Sequence, residues 1–302
     1  MFHRIRASLT FAAGFLLLVL STPSVMAQQP AKPLDRPETI AGERLQDGEF
    51  SLPVGVTYEH VKRDEPRPLH IHILRIDLSQ LEGSLGMHAM PDPDGDGPAE
   101  TTLASPAHHC EQGRFAVGFN ANAWAMTADP TTGKKSGYVE GGACDVVGLA
   151  VNEGQLVSPA ESFWSLWIDD EGVPSMGSGI KAPTNVRLAI SGFGKLVENG
   201  QVSGADKPIH PRTALGLSED RRMLTCVVVD GRQLGYSEGM SLRELAELMR
   251  ELDCHNAFNL DGGGSTVMML RDAQGKACIA NRPSGRTGPR PVPVFFGVKS
   301  KS

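Results

Sequence analysis

The sequence predicts a single strand-rich domain of the α/β or α+β class, in which a mixed sheet is covered by a few helices. Short apolar runs rich in Val, Ile, Leu and Phe follow one another from Phe50 onward, separated by Gly, Pro and Asp. One segment, residues 241–253, has helical spacing instead, and no motif repeats at a fixed period. The 302 residues are enough to bury a substantial core.

Residues 1–27 are typical of a secretory signal peptide. Two arginines precede an apolar stretch, residues 7–20, and the small residues Val25 and Ala27 suit a cleavage site. The stretch is shorter than the roughly 20 apolar residues that span a bilayer. We therefore expect the mature protein to be secreted or periplasmic, without a membrane anchor.

Residues 28–49 are rich in proline and charge and predict a flexible leader, so that residues 50–302 form the folded domain. The predicted strands are, in order, VGVTYEHV, LHIHILRIDL, RFAVGFNA, VVGLAVN, SFWSLWID, RLAISG, RTALGLS, MLTCVVVDG, NAFNLDG and TVMMLRD. In the helical segment, Ser241 and Glu244 form a capping box that predicts where the helix begins. A weaker helical pattern covers Ser105–Gln112.

The order of elements around the main helix predicts where a site would form. The run MLTCVVVDG, the helix and the run NAFNLDG make a strand–helix–strand unit. If the two strands run in parallel, a right-handed crossover brings Asp230 and Asp261 to one edge of the sheet. Because ligands of open α/β sheets bind at the carboxyl ends of the strands, two acids are expected at a single rim.

The charge balance does not indicate binding to nucleic acid or to anionic membranes. The chain has 29 basic and 35 acidic residues, a formal net charge of −6. An anionic substrate would therefore have to be held by a local cluster of cations.

The cysteines, Cys110, Cys144, Cys226, Cys254 and Cys278, are odd in number, so a monomer keeps at least one unpaired thiol. Export would permit disulfides, and a Cys110–Cys144 bridge stays open, whereas Cys226 in the run LTCVVV is expected as a buried free thiol. No CxxC or Cys/His grouping has zinc-site spacing. We expect neither a metal nor another cofactor.

The most unusual segment is Asn259–Thr266, NLDGGGST. Three successive glycines cost backbone entropy, which implies φ values or a close approach that a Cβ would forbid. The N–H groups of such a turn can converge on an anion, and Ser265 and Thr266 add hydroxyl donors. A plain tight turn is the alternative, but the aspartate before the glycines and the hydroxyls after them favour a site.

Two further signals are weak when taken separately. Arg212 opens the strand RTALGLS, and its planar guanidinium suits a phosphate or a carboxylate. The alternative is a surface arginine at a strand end. Asp230 with Gly231 ends the run VVVDG, where an Asp-Gly pair is equally often only a turn.

Together, these motifs resemble the phosphodiester glycosidase family. The ordered set is HPRTALGL, VVVDGR, GMSLRELAELM and NAFNLDGGGSTVM, extended upstream by GFNANAW and ISGFGKLVENG and downstream by NRPSGRTGPRPVPV. The resemblance covers residues 50–298. It implies a hydrolase that cleaves a sugar from a phosphodiester attached through its anomeric oxygen, giving a free sugar and a phosphomonoester.

The resemblance also implies roles for individual residues. Arg212 and His210 would meet the phosphate, and Asp261 would act as a carboxylate near the anomeric centre. Asp230 is a candidate for the second carboxylate of the reaction. The expected substrate-binding residues are His210, Thr213, Asn120, Gly262, Gly263, Gly264, Ser265, Thr266 and Arg290. Ala121, Asn122 and Trp124 depart from the family's usual pattern after the asparagine.

Two other functions stay open. An envelope module that binds phosphorylated glycans without turnover is favoured by the departures at Ala121 and Asn122. A serine esterase is the weaker alternative: GYSEG fits the G-x-S-x-G pattern around Ser237, but residues 231–234 separate it from the preceding strand.

Two possible metal sites are weak. The run DPDGDG at residues 92–97 begins like a calcium loop, but Leu103 occupies the twelfth position. Neighbouring histidines, at 70 and 72 and at 108 and 109, are more often surface or satisfied strand positions than ligands.

Overall fold

The computed structural model describes residues 43–45, 48–128, 132–135, 137–285 and 288–300, which belong to the compact unit Pro37–Ser302. The predicted signal peptide lies outside the described residues. Within the predicted leader, Glu43–Leu45 forms a short strand. The domain boundaries themselves stay a prediction.

The described part of the chain folds into strands joined by short loops, with two α-helices. The strands are β1 (Glu43–Leu45), β2 (Val56–Arg63), β3 (Leu69–Asp77), β4 (Ser84–Ala89), β5 (Thr101–Thr102), β6 (Phe115–Asn120), β7 (Trp124–Met126), β8 (Ala143–Val146), β9 (Ala150–Asn152), β10 (Gln155–Ser158), β11 (Trp164–Asp169), β12 (Pro174–Ser178), β13 (Val186–Ser191), β14 (Lys195–Glu198), β15 (Gln201–Val202), β16 (Arg212–Leu217), β17 (Met223–Val229), β18 (Asn256–Asn259), β19 (Met268–Arg271), β20 (Ala277–Ile279) and β21 (Val294–Lys299). The helices are α1 (Pro106–Gln112) and α2 (Leu242–Glu251).

The strands form four sheets, and the predicted strand-rich fold of mixed class is confirmed as α+β. The largest sheet has the order β1-β2-β3-β17-β16-β18-β14-β15, and two five-stranded sheets have the orders β10-β9-β13-β11-β12 and β20-β19-β6-β21-β4. A small sheet joins β5, β8 and β7. Neighbouring strands of the largest sheet run antiparallel.

Both faces of the largest sheet are buried. Along β17, Cys226 and Val228 face the core shared with the two five-stranded sheets, whereas Val227 and Val229 pack with residues of α2. Leu245 of α2 is fully buried there, a burial that contributes about 1.5 to 3 kcal/mol. Because successive side chains of β17 face opposite sides of the sheet and both sides are buried, the sequence of this strand is an uninterrupted apolar run.

Both helix predictions are confirmed. Ser241 caps α2, with its side chain accepting from the Glu244 N–H while the Glu244 carboxylate accepts from the Ser241 N–H, which completes the capping box. Ser105 caps α1, and Pro106 occupies its first turn, where a missing N–H costs nothing.

The strand–helix–strand unit differs from a simple parallel pair. β17 and β18 do not pair directly, because β16 lies between them and is antiparallel to both. β17 and β18 therefore run in the same direction, and their carboxyl ends lie at the edge where β16 begins. Asp230, Asp261 and Arg212 all stand at this edge, as the sequence predicted for the two acids.

All five cysteines are free, so Cys110 and Cys144 do not form the bridge that the sequence left open. Cys226 is fully buried, as expected, and burial raises the pKa of its thiol. Neither of the helices in the described ranges is long and apolar enough to cross a membrane.

Candidate active site

The glycine turn, residues Asp261–Thr266, packs against the start of β16. The Gly263 N–H donates to the Pro211 carbonyl at 3.0 Å, and a Cβ on Gly262 would lie only 2.8 Å from the same oxygen. Gly263 has a φ of +63°, a conformation that glycine adopts without strain. The turn therefore needs glycine both for its conformation and for its close approach to the neighbouring strand.

Asp261 carries a largely buried carboxylate. Burial raises its pKa, and the Ser265 hydroxyl, the charge of Arg290 and the Gly262 N–H act in the opposite direction. The Arg290 Nη2 atom lies 3.5 Å from Asp261 Oδ2, yet this oxygen is buried without a hydrogen-bond partner among the described residues. An under-satisfied carboxylate oxygen beside a cation suits a group that acts on a ligand.

Arg290 is held on several sides. Its guanidinium donates to the Ser265 hydroxyl through Nε, at 3.2 Å, and through Nη2. Its Cζ atom lies 4.8 Å from the ring centroids of both Trp124 and Tyr138. Arg290 is thus a neighbour of Asp261, and its role in substrate binding stays a prediction.

Arg212 is almost fully buried at the start of β16. Its Nε atom donates to the Met240 carbonyl at 2.9 Å and its Nη2 atom to the Pro208 carbonyl at 2.8 Å. Within the part of the chain that the structure describes, no carboxylate lies within 4.0 Å of its guanidinium. Burial, followed by the charge of Arg232, lowers the pKa of Arg212.

Arg232 is a cation of the site that the sequence analysis missed. It adopts a φ of +60°, and its guanidinium lies 3.1 Å from the position that a Cβ of Gly263 would take. Its Nη2 atom approaches His210 Nδ1 at 3.3 Å, and burial followed by the two arginine charges lowers the pKa of His210. Arg232 also makes no ion pair with any of the described carboxylates.

Asn120 and Thr213 hold the turn in place. The Thr213 hydroxyl donates to Asn120 Oδ1 at 2.8 Å, and the Asn120 amide donates to the Asp261 carbonyl at 2.7 Å. The Val267 N–H donates to the same Asn120 oxygen at 3.1 Å. Because both side chains already bond within the protein, the geometry shows them positioning the turn, and direct substrate contact stays a prediction.

Asp230 lies at the same edge, in a different setting. Its carboxylate is fully buried and accepts from the Arg282 N–H at 2.9 Å and from the Asn281 amide, also at 2.9 Å. The Tyr236 hydroxyl donates to it at 3.4 Å, and His72 Nε2 lies at the same distance. Asn281 also donates to the Thr266 carbonyl, so Asp230 is connected to the glycine turn through one side chain.

Several buried polar atoms near the turn have no hydrogen-bond partner among the residues described. They are Trp124 Nε1, Asn259 Oδ1, Asp261 Oδ2 and Thr266 Oγ1. Buried polar groups are normally satisfied in native proteins, and each exception needs an explanation. The atoms of Asn259, Asp261 and Thr266 belong to the segment 259–266 itself, where a polar ligand would complete the bonding, and other such atoms, of Arg75, Asp94, Thr127 and Asn152, lie outside it.

The geometry does not support the alternative sites, which are the serine esterase site at Ser237 and the two possible metal sites. Ser237 is fully buried, with its hydroxyl donating to the Asp230 carbonyl and accepting from the His70 N–H. His72 contacts Tyr58 and Asp230. Over the described ranges, no group of three or more His, Cys, Asp or Glu residues is arranged to hold a metal, which includes the acidic run at 92–97.

Comparison with solved structures supports the fold. The catalytic domain of zebrafish N-acetylglucosamine-1-phosphodiester alpha-N-acetylglucosaminidase, auto-inhibited by its pro-peptide, is 20% identical over 87% of this chain and 89% of its own, with a TM-score of 0.59. A hypothetical protein from Synechocystis is 13% identical over 82% of this chain and 64% of its own, with a TM-score of 0.60. A Burkholderia pseudomallei protein named as exported is 16% identical over 77% and 74%, with a TM-score of 0.54.

Comparison of the sequence itself gives the family. No curated protein sequence matched significantly. The phosphodiester glycosidase family model matches residues 118–299, more than half of the chain, and this range contains the glycine turn, Arg212, Arg232 and Arg290. The chain therefore belongs to the phosphodiester glycosidase family.

Proposed function

We propose that the protein is a hydrolase that cleaves the bond between the anomeric carbon of a sugar and a phosphodiester oxygen. The observation that carries the proposal is the pair Arg212 and Arg232, two cations without an acidic partner among the described residues, beside a turn that ends in Asp261. Arg212 is buried whereas Arg232 is exposed, and a buried cation without a counter-charge is costly. A bound phosphodiester would supply that charge.

The cationic side of the site would receive the phosphate. Arg232 lies beside Gly263 and contacts His210, and the charge of Arg212 also acts on that histidine. A phosphate leaving group is a weak base, so neutralising its charge matters more than donating a proton to it. The arginines provide that stabilisation as the leaving group gains charge in the transition state.

Asp261 would act at the anomeric carbon. Cleavage breaks the C1–O bond, with the electron pair leaving on the phosphate oxygen, and the sugar gains oxocarbenium character that a carboxylate stabilises or traps. Water then adds its oxygen to C1 and loses a proton. Asp230 is the proposed second carboxylate, and Tyr236 and His72 beside it offer a path for that proton.

The proposal extends to the substrate class and location. The substrate would be a phosphorylated carbohydrate, without nucleic acid or a membrane anchor as partner. The predicted signal peptide supports export to the periplasm or beyond, and a neighbour in structure is itself named as exported.

The test is to incubate the purified mature protein with a panel of sugar-1-phosphodiesters. Phosphorus NMR follows the phosphomonoester while a reducing-sugar assay follows the sugar. We expect the two products in equal amounts, with turnover abolished in Asp261→Asn and reduced in Arg212→Ala.

Two other outcomes would replace the proposal. Saturable binding of a panel member by the wild-type protein without turnover would favour the glycan-binding module. Hydrolysis of p-nitrophenyl esters that is lost in Ser237→Ala would favour the esterase.

A further inference from the structure

Two aromatic side chains form a corner around Arg290. The rings of Trp124 and Tyr138 meet edge to face, with centroids 6.0 Å apart and an interplanar angle of 89°. The guanidinium of Arg290 lies 4.8 Å from each centroid. A cation at this distance from an aromatic face is attracted by the ring quadrupole, so both rings contribute to holding it.

The position of this guanidinium matters for Asp261. Arg290 Nη2 lies 3.5 Å from Asp261 Oδ2 and also donates to the Ser265 hydroxyl. A long arginine side chain loses rotamer freedom when it is fixed in one place. The aromatic corner offsets that loss, because both rings contact the guanidinium in the orientation that faces the carboxylate.

The hydrophobic core does not require an aromatic ring at position 138. Its side chain is 58% exposed, in the connection between β7 and β8. A large exposed aromatic ring on a loop that contacts a site cation has no packing reason to be aromatic. Trp124, at the start of β7, is partly buried and packs against a buried apolar cluster that includes Val292 and Phe295.

We propose that Trp124 and Tyr138 are positioning residues that fix Arg290 against Asp261 and so set the ionisation of that carboxylate. The effect on the ionisation of Asp261 does not depend on the proposed function, whereas the effect on catalysis rests on it. The groups that face the carboxylate are the Arg290 guanidinium, the Ser265 hydroxyl and the Gly262 N–H. Weakening the first of them should make Asp261 easier to protonate.

The test is an NMR titration of the carboxyl carbons in protein labelled with [13C]-aspartate. The resonance missing from Asp261→Asn identifies Asp261. The titrated variants are Tyr138→Ala, Tyr138→Phe as the matched control that keeps the ring, and Arg290→Gln, which removes the charge. Tyr138 is exposed, so neither of its replacements disturbs the core.

We expect Arg290→Gln to raise the pKa of Asp261 by about one pH unit. Tyr138→Ala should raise it in the same direction by a smaller amount, and Tyr138→Phe should leave it unchanged. A wild-type titration curve in Tyr138→Ala would overturn the positioning role of the tyrosine. A wild-type curve in Arg290→Gln would overturn the whole inference.

A kinetic readout separates this inference from the proposed function. With a sugar-1-phosphodiester that is turned over, Tyr138→Ala should move the acid limb of the pH profile upward, so that kcat falls at acidic pH and stays close to the wild-type value on the plateau, with KM nearly unchanged. A change in KM alone would instead make Tyr138 a substrate contact and contradict positioning. If no substrate is turned over, the proposed function fails while the NMR titration still decides the inference.

Discussion

Single residues carry the electrostatics of the site. Arg232 lies beside Gly263 and contacts His210, whose pKa the charges of Arg232 and Arg212 lower, and Asp261 lies beside Arg290. These groups fit the proposed substrate, which has a negative phosphate at one end of the scissile bond and gains positive charge at the other in the transition state.

The first prediction concerns the two arginines. Arg212→Ala should cost about 2 to 4 kcal/mol of transition-state stabilisation, as loss of a charge-assisted donor commonly does, and Arg232→Ala should act in the same direction. The measurement is kcat/KM with a sugar-1-phosphodiester. Arg243→Ala, which removes an exposed cation paired with Glu247 on α2, is the control that should retain wild-type activity. Equal rates for Arg212→Ala and the parent would discard its role.

The second prediction concerns pH. Asp261 must be ionised to stabilise positive charge on the sugar, and burial raises its pKa. The rate should therefore fall on acidification at a pH above the usual range for an aspartate. A profile of kcat/KM against pH checks this, and an acid limb at the value of an exposed aspartate would count against Asp261 as the responsible group.

At the scale of elements, the site depends on where β16 lies. The sequence predicted that the ends of two strands would bring Asp230 and Asp261 to one edge, and the structure achieves this with β16 between β17 and β18. This insertion also brings Arg212 to the same edge. The glycine turn then packs on Pro211, the residue before the strand.

The third prediction tests that packing. Gly262→Ala places a Cβ 2.8 Å from the Pro211 carbonyl oxygen, so the backbone must shift, whereas the nearest atom to a Cβ on Gly264 lies at 3.6 Å, an ordinary contact. Gly262→Ala should lower the free energy of unfolding by about 1 to 3 kcal/mol, and Gly264→Ala should change it much less. Urea unfolding of both variants measures the difference; similar losses in both would show that the close approach is not the cause.

At the scale of the whole molecule, buried histidines link stability to pH. Burial, followed by the charge of His60, lowers the pKa of His70 from 6.5 to about 4. The unfolded chain therefore takes up a proton at a higher pH than the folded one. The stability that this histidine contributes is complete above pH 6.5 and is lost as the pH falls toward about 4.

The fourth prediction follows from this linkage. The free energy of unfolding should decrease between pH 6.5 and pH 4, and His70→Gln should make that decrease less steep. Denaturant unfolding across the range gives the slope, which is compared between the two proteins even if the variant is less stable at pH 7. An unchanged slope would show that His70 does not titrate in this way.

The limits of prediction from sequence are physical. The strand-rich class, α2 with its capping box and the shared edge of Asp230 and Asp261 follow from local periodicity and connection rules. Arg232 could not be recognised, because its contact with the glycine turn exists only once β16 has separated β17 and β18. The contact of Tyr138 with Arg290 likewise joins distant segments that no local pattern relates.

The central claim is that water attacks the anomeric carbon, and oxygen-18 water tests it most directly. A glycosidase and an ordinary phosphodiesterase both yield a free sugar and a phosphomonoester, but only cleavage at phosphorus places the new oxygen in the phosphate. The isotope shift in the phosphorus NMR spectrum of the product distinguishes the two. We predict a phosphomonoester without oxygen-18. A labelled phosphomonoester, or no product from any sugar-1-phosphodiester, would contradict the proposed reaction.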